Sequence, residues 1–374
     1  MVASVELVKH PQYVESFGKP EAVALDATRR LREEGAEVVV ALTHLPIAGD
    51  AQLLRRLGAQ GPDLIIGGHE HNRQSEEIGG RRVIKADADA RTATVARVTL
   101  TANGPPRVEY EFRALDAEVK NDPAVAARVE AWLKRHGREY CVERLQQPVG
   151  CLDEPLSRAG VTLVAEELEI RRWETNLGNW ILDQALAAFA DHGAQAAFVN
   201  SGSLRLNQDI PEGSVLTRRH VEETFAYPMP LKLLRIKGST LREVVSHAVT
   251  DWTGNGRWLQ IAGFAFFHDP EPESAESLTL ITAEGLRPIA PDQELLVVTG
   301  DFLADPATGQ DGFTMLGPQQ LVPIDGPDPD LKELVLAALK AAGEAGIAPE
   351  VEGRICNPRR PGWCKALSPV AGSP

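Results

Sequence analysis

Three histidines stand where an α/β sheet could deliver metal ligands. His44 follows the apolar run Glu37 to Leu42 (E-V-V-V-A-L) and Thr43, while His69 and His71 lie in G-G-H-E-H, behind a second short run, Asp63 to Ile66. Ligand sites of open α/β sheets sit beyond the carboxyl ends of their strands. Neutral imidazole is a good donor to zinc, manganese or iron, so histidines at two successive strand ends can converge on one divalent ion. Asp50 and Glu70 are nearby carboxylates. A histidine taken singly is more often an ordinary surface or core residue; the H-x-H spacing and the shared strand-end position argue for a metal. His10, His136, His192, His220, His247 and His268 have no such partners in the sequence.

The elements that must position these residues follow from periodicity. The pattern predicts a helix over 21–34 stopped by Gly35, a buried strand over 37–42, a helix over 50–58 and a strand over 63–66. Strands over 82–86, 94–100 and 108–112 are separated by Gly79-Gly80 and Asn103-Gly104. A helix over 123–137 begins with Pro and ends with Gly, and reads as a connector between two strand-rich regions. The pattern then resets, with helices over 176–190, 240–252 and 330–345 and strands over 196–199, 231–236, 261–267, 278–282 and 295–299. The Pro-rich tail after Arg354 reads as irregular. The fold class is therefore α/β, in mixed α+β layers.

Composition bounds the function. The chain has 374 residues, 43% hydrophobic and 25% charged, long enough for two ordinary globular domains. A formal net charge of -14 argues against a nucleic-acid polymer as partner, because an acidic surface repels phosphate backbones. No apolar run is long enough to span a membrane. Met1 to Gly18 carries Glu6, His10 and Glu15 and lacks the apolar stretch of a signal peptide. Cys141, Cys151, Cys356 and Cys364 permit three pairings; C-N-P-R-R-P-G-W-C could close a short disulfide loop, and free thiols in a reducing compartment are the other reading. With no C-x-x-C pair, a structural zinc site is not expected. Phosphate-loop, dinucleotide-fingerprint and serine-hydrolase motifs are absent from the sequence.

A-L-T-H-L and D-L-I-I-G-G-H-E-H resemble the last two metal-binding motifs of the calcineurin-like metallophosphoesterases, closest to the 5'-nucleotidase branch. Five further stretches resemble that family's C-terminal domain in the family's order: E-T-N-L-G-N-W-I-L-D-Q-A-L, F-V-N-S-G-S-L-R, L-L-R-I-K-G-S-T-L-R-E-V-V-S-H-A-V, L-Q-I-A-G-F, and V-T-G-D-F-L through Q-D-G-F. The resemblance implies a partial metallophosphoesterase sandwich followed by a complete 5'-nucleotidase C-terminal domain. It implies two divalent metal ions, such as zinc or manganese, with His44 and His69 holding one and His71 the other. Two-metal sites polarise phosphoryl oxygens, activate a bound water and stabilise in-line displacement.

The same resemblance implies that the second domain grips a nucleotide. Arg171 and Arg205 match the arginines that hold its phosphate, a task suited to a planar guanidinium fork. Asn200 and Gly202 match residues close to the base or ribose, and Phe313 and Tyr227 match two rings that sandwich the base. Judged singly, each of these would more often be a surface charge, a core ring or a plain turn. A further arginine often found past the Arg205 position is replaced here by L-N-Q-D-I-P. The family's D-x-H, G-D and G-N-H-E motifs, which carry the bridging Asp, an Asn ligand and the catalytic His, do not occur in the chain.

These readings give residues 1–118 as the C-terminal part of a metallophosphoesterase domain, 119–147 as a linker helix, 148–355 as the substrate-recognition domain and 356–374 as a tail. The implied activity is hydrolysis of nucleoside 5'-monophosphates, with 2',3'-cyclic nucleotides and nucleotide sugars as substrates of some relatives, by a chain truncated at its N-terminus. A non-catalytic nucleotide-binding module, or half of an enzyme completed by a partner chain, is the alternative. Relatives are commonly periplasmic or extracellular, with the export signal upstream of the matching region.

Overall fold

The computed structural model describes residues 2–3, 18–102, 104–250, 252, 254–271, 273–305, 310–361 and 364. His10, nearly all of the opening segment, residues 306–309 of the last motif and the end of the tail lie outside them. The chain divides into two compact units, residues 1–126 and 127–374.

The first unit contains β1 (Val2–Ala3), α1 (Pro20–Glu33), β2 (Val40–His44), α2 (Ile47–Leu57), β3 (Leu64–Gly67), β4 (Gln74–Ile78), β5 (Arg81–Lys85), β6 (Thr92–Thr99) and β7 (Arg107–Ala114). One sheet runs β1-β2-β3-β5-β4; β4 is antiparallel to β5 and the other pairings are parallel. Side chains alternate across a strand, and the two faces separate accordingly. Ile65 and Val83 pack with Ala24, Leu53 and Leu54 of the helices, whereas Leu64 and Ile84 pack with Val108 of the β6–β7 hairpin. Strand pairing starts only at Val40 and includes His44, so the expected strand is shifted toward the histidine, and it is not buried as expected: Val40 and Leu42 are exposed. Strand β4, Q-S-E-E-I, has no buried residue. It is an edge strand held by backbone pairing with β5, which is why hydrophobic periodicity missed it.

The second unit takes in most of α3 (Pro123–Glu139), then β8 (Pro155–Arg158), α4 (Glu167–Ile170), α5 (Asn176–Ala187), β9 (Ala196–Asn200), β10 (Val215–Thr217), α6 (Arg218–Thr224), β11 (Leu231–Lys237), α7 (Gly238–Val249), β12 (Leu259–Ala262), β13 (Phe264–Asp269), β14 (Ser274–Thr282), β15 (Gly285–Pro288), β16 (Glu294–Gly300), α8 (Asp301–Ala304), α9 (Leu331–Ala342) and β17 (Ile355–Cys356). A central sheet, β11-β16-β9-β12, is accompanied by a second, β15-β14-β13-β17, and by the pair β10-β8. Strand β9 is buried throughout and divides two cores. Ala197 and Val199 face Leu177, Ile181, Val335 and Leu339 of α5 and α9; Ala196 and Phe198 face Val244 and Val245 of α7 and Phe264 and Phe266 of β13.

The single strand expected over 261–267 is two strands in different sheets. Gly263 breaks it at φ +77, where a Cβ would stand 2.3 Å from the Gln195 carbonyl oxygen. Within the tail, Ile355–Cys356 forms β17, which pairs in parallel with β13. Both cysteine pairs are bridged, Cys141 to Cys151 and Cys356 to Cys364. The second bridge ties down Arg359 and Arg360, whose guanidinium carbons lie 5.1 Å from the Trp252 ring centre and 3.9 Å from that of Trp173. Those two indoles meet edge to face at 5.0 Å, and His268 sits beneath, 5.0 Å from Trp252 and 5.1 Å from Trp258.

Candidate functional site

In the first unit, β2 and β3 are parallel neighbours that pair Thr43 with Gly67. His44 and the loop after Gly67 therefore leave the sheet side by side. A Cβ on Gly68 would stand 3.1 Å from His44 Nδ1, so glycine permits the close approach. His69 and His71 have φ of 91° and 63°, a region that side-chain-bearing residues seldom occupy. The His44 and His69 rings meet edge to face with centres 5.6 Å apart. Burial, followed by the nearness of His71 and Lys85, lowers the His44 pKa, which favours the neutral, metal-donating form.

Two imidazoles sharing one zinc, each at about 2.0–2.1 Å through nitrogen, have ring centres roughly 5–6 Å apart. The His44–His69 pair fits that chemistry. Among the described residues, no group of three or more His, Cys, Asp or Glu side chains is arranged to hold an ion, so the donor set here is partial. Asp50 and Glu70 face inward to Lys85, whose Nζ lies 3.0 Å from Asp50 Oδ2 and 2.7 Å from Glu70 Oε2. Burial raises the Asp50 pKa, and the Lys85 charge opposes that shift. Sequence reasoning passed over Lys85. The available signal was a lysine ending the short strand R-R-V-I-K, with two acidic residues unassigned nearby.

In the second unit, the N-L-G-N helix of the resemblance is a structural joint. Thr175 caps α5 by accepting from Gly178 N. A Cβ on Gly178 would lie 2.1 Å from Gln260 Oε1, so only glycine lets the helix press on β12. Gln260 Nε2 in turn donates to the Ile170 and Trp173 carbonyls. Asn176 Nδ2 donates to Thr162 O, and its Oδ1 accepts from Val164 N. Glu174, 1% exposed, accepts from Asn179 Nδ2 and from the backbone N–H groups of Glu352, Gly353 and Ile355.

The N-S-G-S-L-R loop emerges from the end of β9. Asn200 is buried; its Nδ2 donates to Asp311 Oδ2 at 3.0 Å and its Oδ1 accepts from Ser203 Oγ at 2.6 Å. Gly202 N donates to Gly256 O at 2.9 Å, and a Cβ on Gly202 would lie 2.9 Å from Gly256 Cα. Arg205 N donates to Thr224 O. The Arg205 Nε is buried without an acceptor, and among the described residues no carboxylate pairs with its guanidinium. Arg171 differs: it is 4% exposed and pairs with Glu167 at 3.1 Å. Tyr227 is half exposed.

Phe313 is fully buried, packed edge to face on His247 at 4.7 Å, so it offers no open ring face in this structure. His247 Nε2 lies 2.8 Å from the Asp311 carbonyl oxygen. Phe313, His247, Asp311 and Asn200 thus form one connected block behind the loop. Asp311 and His247 were missed because neither stands out in sequence; only the fold joins the end of β9 to the turn at 310–312.

Residues 156–318 match the family model for the 5'-nucleotidase C-terminal domain. The human 5'-nucleotidase is 22% identical over 365 residues, covering 87% of this chain and 59% of that protein. An apyrase of Anopheles gambiae is 26% identical over 330 residues, covering 79% of this chain and 54% of its own length. This chain thus spans little more than half the length of these relatives. The crystal structure of a 5'-nucleotidase precursor from Thermus thermophilus superposes with a TM-score of 0.72 at 25% identity, covering 91% of this chain and 68% of that one. Residues 156–318 thus carry the 5'-nucleotidase C-terminal domain pattern, and the chain as a whole is similar to 5'-nucleotidases in sequence and fold.

Proposed function

We propose that this chain is part of a metal-dependent phosphohydrolase that converts nucleoside 5'-monophosphates to nucleoside and phosphate, with 2',3'-cyclic nucleotides and nucleotide sugars as further substrate classes. In this reading residues 148–355 recognise the nucleotide and residues 1–118 contribute His44, His69 and His71 to the metal site. Divalent ions would supply charge on the phosphoryl oxygens and an activated water. The chain's own residues bind and orient. Arg205 takes the phosphate, Asn200 and Gly202 set the wall beside base and ribose, and Tyr227 supplies an open ring for stacking. Arg171, its charge already met by Glu167, would reach a phosphate only by giving up that pair, and Phe313 supports Asn200 from beneath through His247 and Asp311.

The observation that carries this reading is Arg205, a partly buried guanidinium with an unsatisfied Nε–H on the glycine-containing loop. Leaving such a donor unmet costs about 1–3 kcal/mol, and a phosphate oxygen would meet it. Calorimetric titration of the full chain with adenosine 5'-monophosphate and with adenosine tests the assignment. Arg205→Met should weaken the monophosphate by about tenfold or more and leave adenosine nearly unchanged. Equal affinities in wild type and variant would remove the phosphate role. Monophosphate binding without phosphate release in zinc or manganese would make the chain a binding module or half of a two-chain enzyme.

A further inference from the structure

Lys85 ends β5, opposite Gly67 in the sheet register, and is 1% exposed. An ammonium has three N–H donors. Here they meet the Leu45 carbonyl, the Gly68 carbonyl at 2.9 Å and Glu70 Oε2 at 2.7 Å. Asp50 Oδ2, 3.0 Å away and buried, balances the charge from α2. The three acceptors have one property in common: Leu45 adjoins His44, Gly68 adjoins His69, and Glu70 separates His69 from His71. Glu70 Oε1 also accepts from Ile47 N at the start of α2. Backbone held at positive φ persists only where its surroundings over-determine it, and this ammonium grips both sides of His69.

We propose that Lys85 is a positioning residue for the histidine site, one buried ammonium that ties the His44 arm to the His69–His71 loop and fixes their separation. The consequence for metal binding rests on the reading of these histidines as metal donors. An ordinary buried ion pair would link side chains to one another; this one directs two of its three donors to the carbonyls beside two different histidines.

The test uses the full chain with Lys85→Met, which keeps the length of the side chain and removes the charge, and Glu70→Gln, which leaves the carbonyl bonds intact. Amide hydrogen exchange over residues 67–72 reads the loop without metal, and calorimetric titration with zinc reads the donors. In Lys85→Met, loop exchange should accelerate while β3 and β5 amides keep their protection, and zinc affinity should fall by about 10- to 100-fold. Glu70→Gln should show both effects more weakly. Unchanged loop exchange and zinc affinity in a folded Lys85→Met chain would overturn the proposal. If that variant does not fold, unchanged values in Glu70→Gln would do so. Faster loop exchange in a chain whose wild type takes up no zinc would uphold the positioning role and reject the metal reading.

Discussion

Replacing Glu174 by alanine should destabilise the second unit far more than it alters nucleotide recognition. Its Oε1 accepts from Asn179 Nδ2 at 2.7 Å, Glu352 N at 2.8 Å and Gly353 N at 3.1 Å, and its Oε2 accepts from Ile355 N at 2.9 Å. Not all four losses cost the same. Glu352 is exposed and can turn to water, and Asn179 Nδ2 keeps its bond to Glu350 O. The amides of Gly353 and Ile355 are buried and would lose their acceptor. At about 2 kcal/mol for each orphaned donor, the expected loss is about 4 kcal/mol. That is a large share of the roughly 5–15 kcal/mol that holds a domain folded. Native-state hydrogen exchange of the β9 amides reads the stability of this unit directly, and about 4 kcal/mol corresponds to a roughly thousandfold rise in exchange. Glu174→Gln, which can keep the three bonds at one oxygen, should cost about half as much. A loss below about 1 kcal/mol in the alanine variant would refute the accounting, because it would mean the strap at 352–355 is held by something other than this carboxylate.

Two further outcomes follow from groups in the same unit. Burial among Trp252 and Trp258 pushes the His268 pKa down to about 4, below its ordinary 6.5. The unfolded chain then binds the extra proton first, so stability is full above about pH 6.5 and is lost as pH falls from there toward about 4, by up to about 3 kcal/mol; His268→Gln should flatten that part of the urea midpoint against pH followed by circular dichroism. Replacing Cys356 and Cys364 by serine opens a bridge with a sequence separation of 8 and should cost about 2–3 kcal/mol in the same assay, whereas no change on reduction of the wild type would contradict the bridge.

What could be read from sequence divides along physical lines. The strands that lead to the histidines were legible as apolar runs, and the ligand ends follow from the parallel topology, although β2 leaves Val40 and Leu42 exposed where the apolar run implied burial. The division of one predicted strand at Gly263 was not, because the residues on either side are equally apolar and the backbone reversal needs only the missing Cβ. The polar edge strand Gln74–Ile78 was invisible for the opposite reason: it has no apolar run, and backbone pairing with β5 holds it with little burial. Motif matching singled out Asn200, Gly202 and Arg205, but treated Glu174 to Asn179 as part of the same signature. The structure gives that stretch a mechanical role, joining α5 to β12 and to the C-terminal strap. Lys85 and Asp311 act through partners far away in sequence, which no local spacing reveals.

The stack of rings beneath the Cys356–Cys364 loop also gives the molecule its own optical label. Trp173 and Trp252 lie edge to face under two guanidinium groups, and Trp258 is buried below them. Trp132, on α3, is 60% exposed. Indoles emit at longer wavelength when water surrounds them, so the cluster and Trp132 should contribute to different ends of the emission band. Release of the loop would redden the emission of the cluster, and replacing Trp132 by phenylalanine would remove the exposed contribution, so the state of the strap could be followed in unlabelled protein.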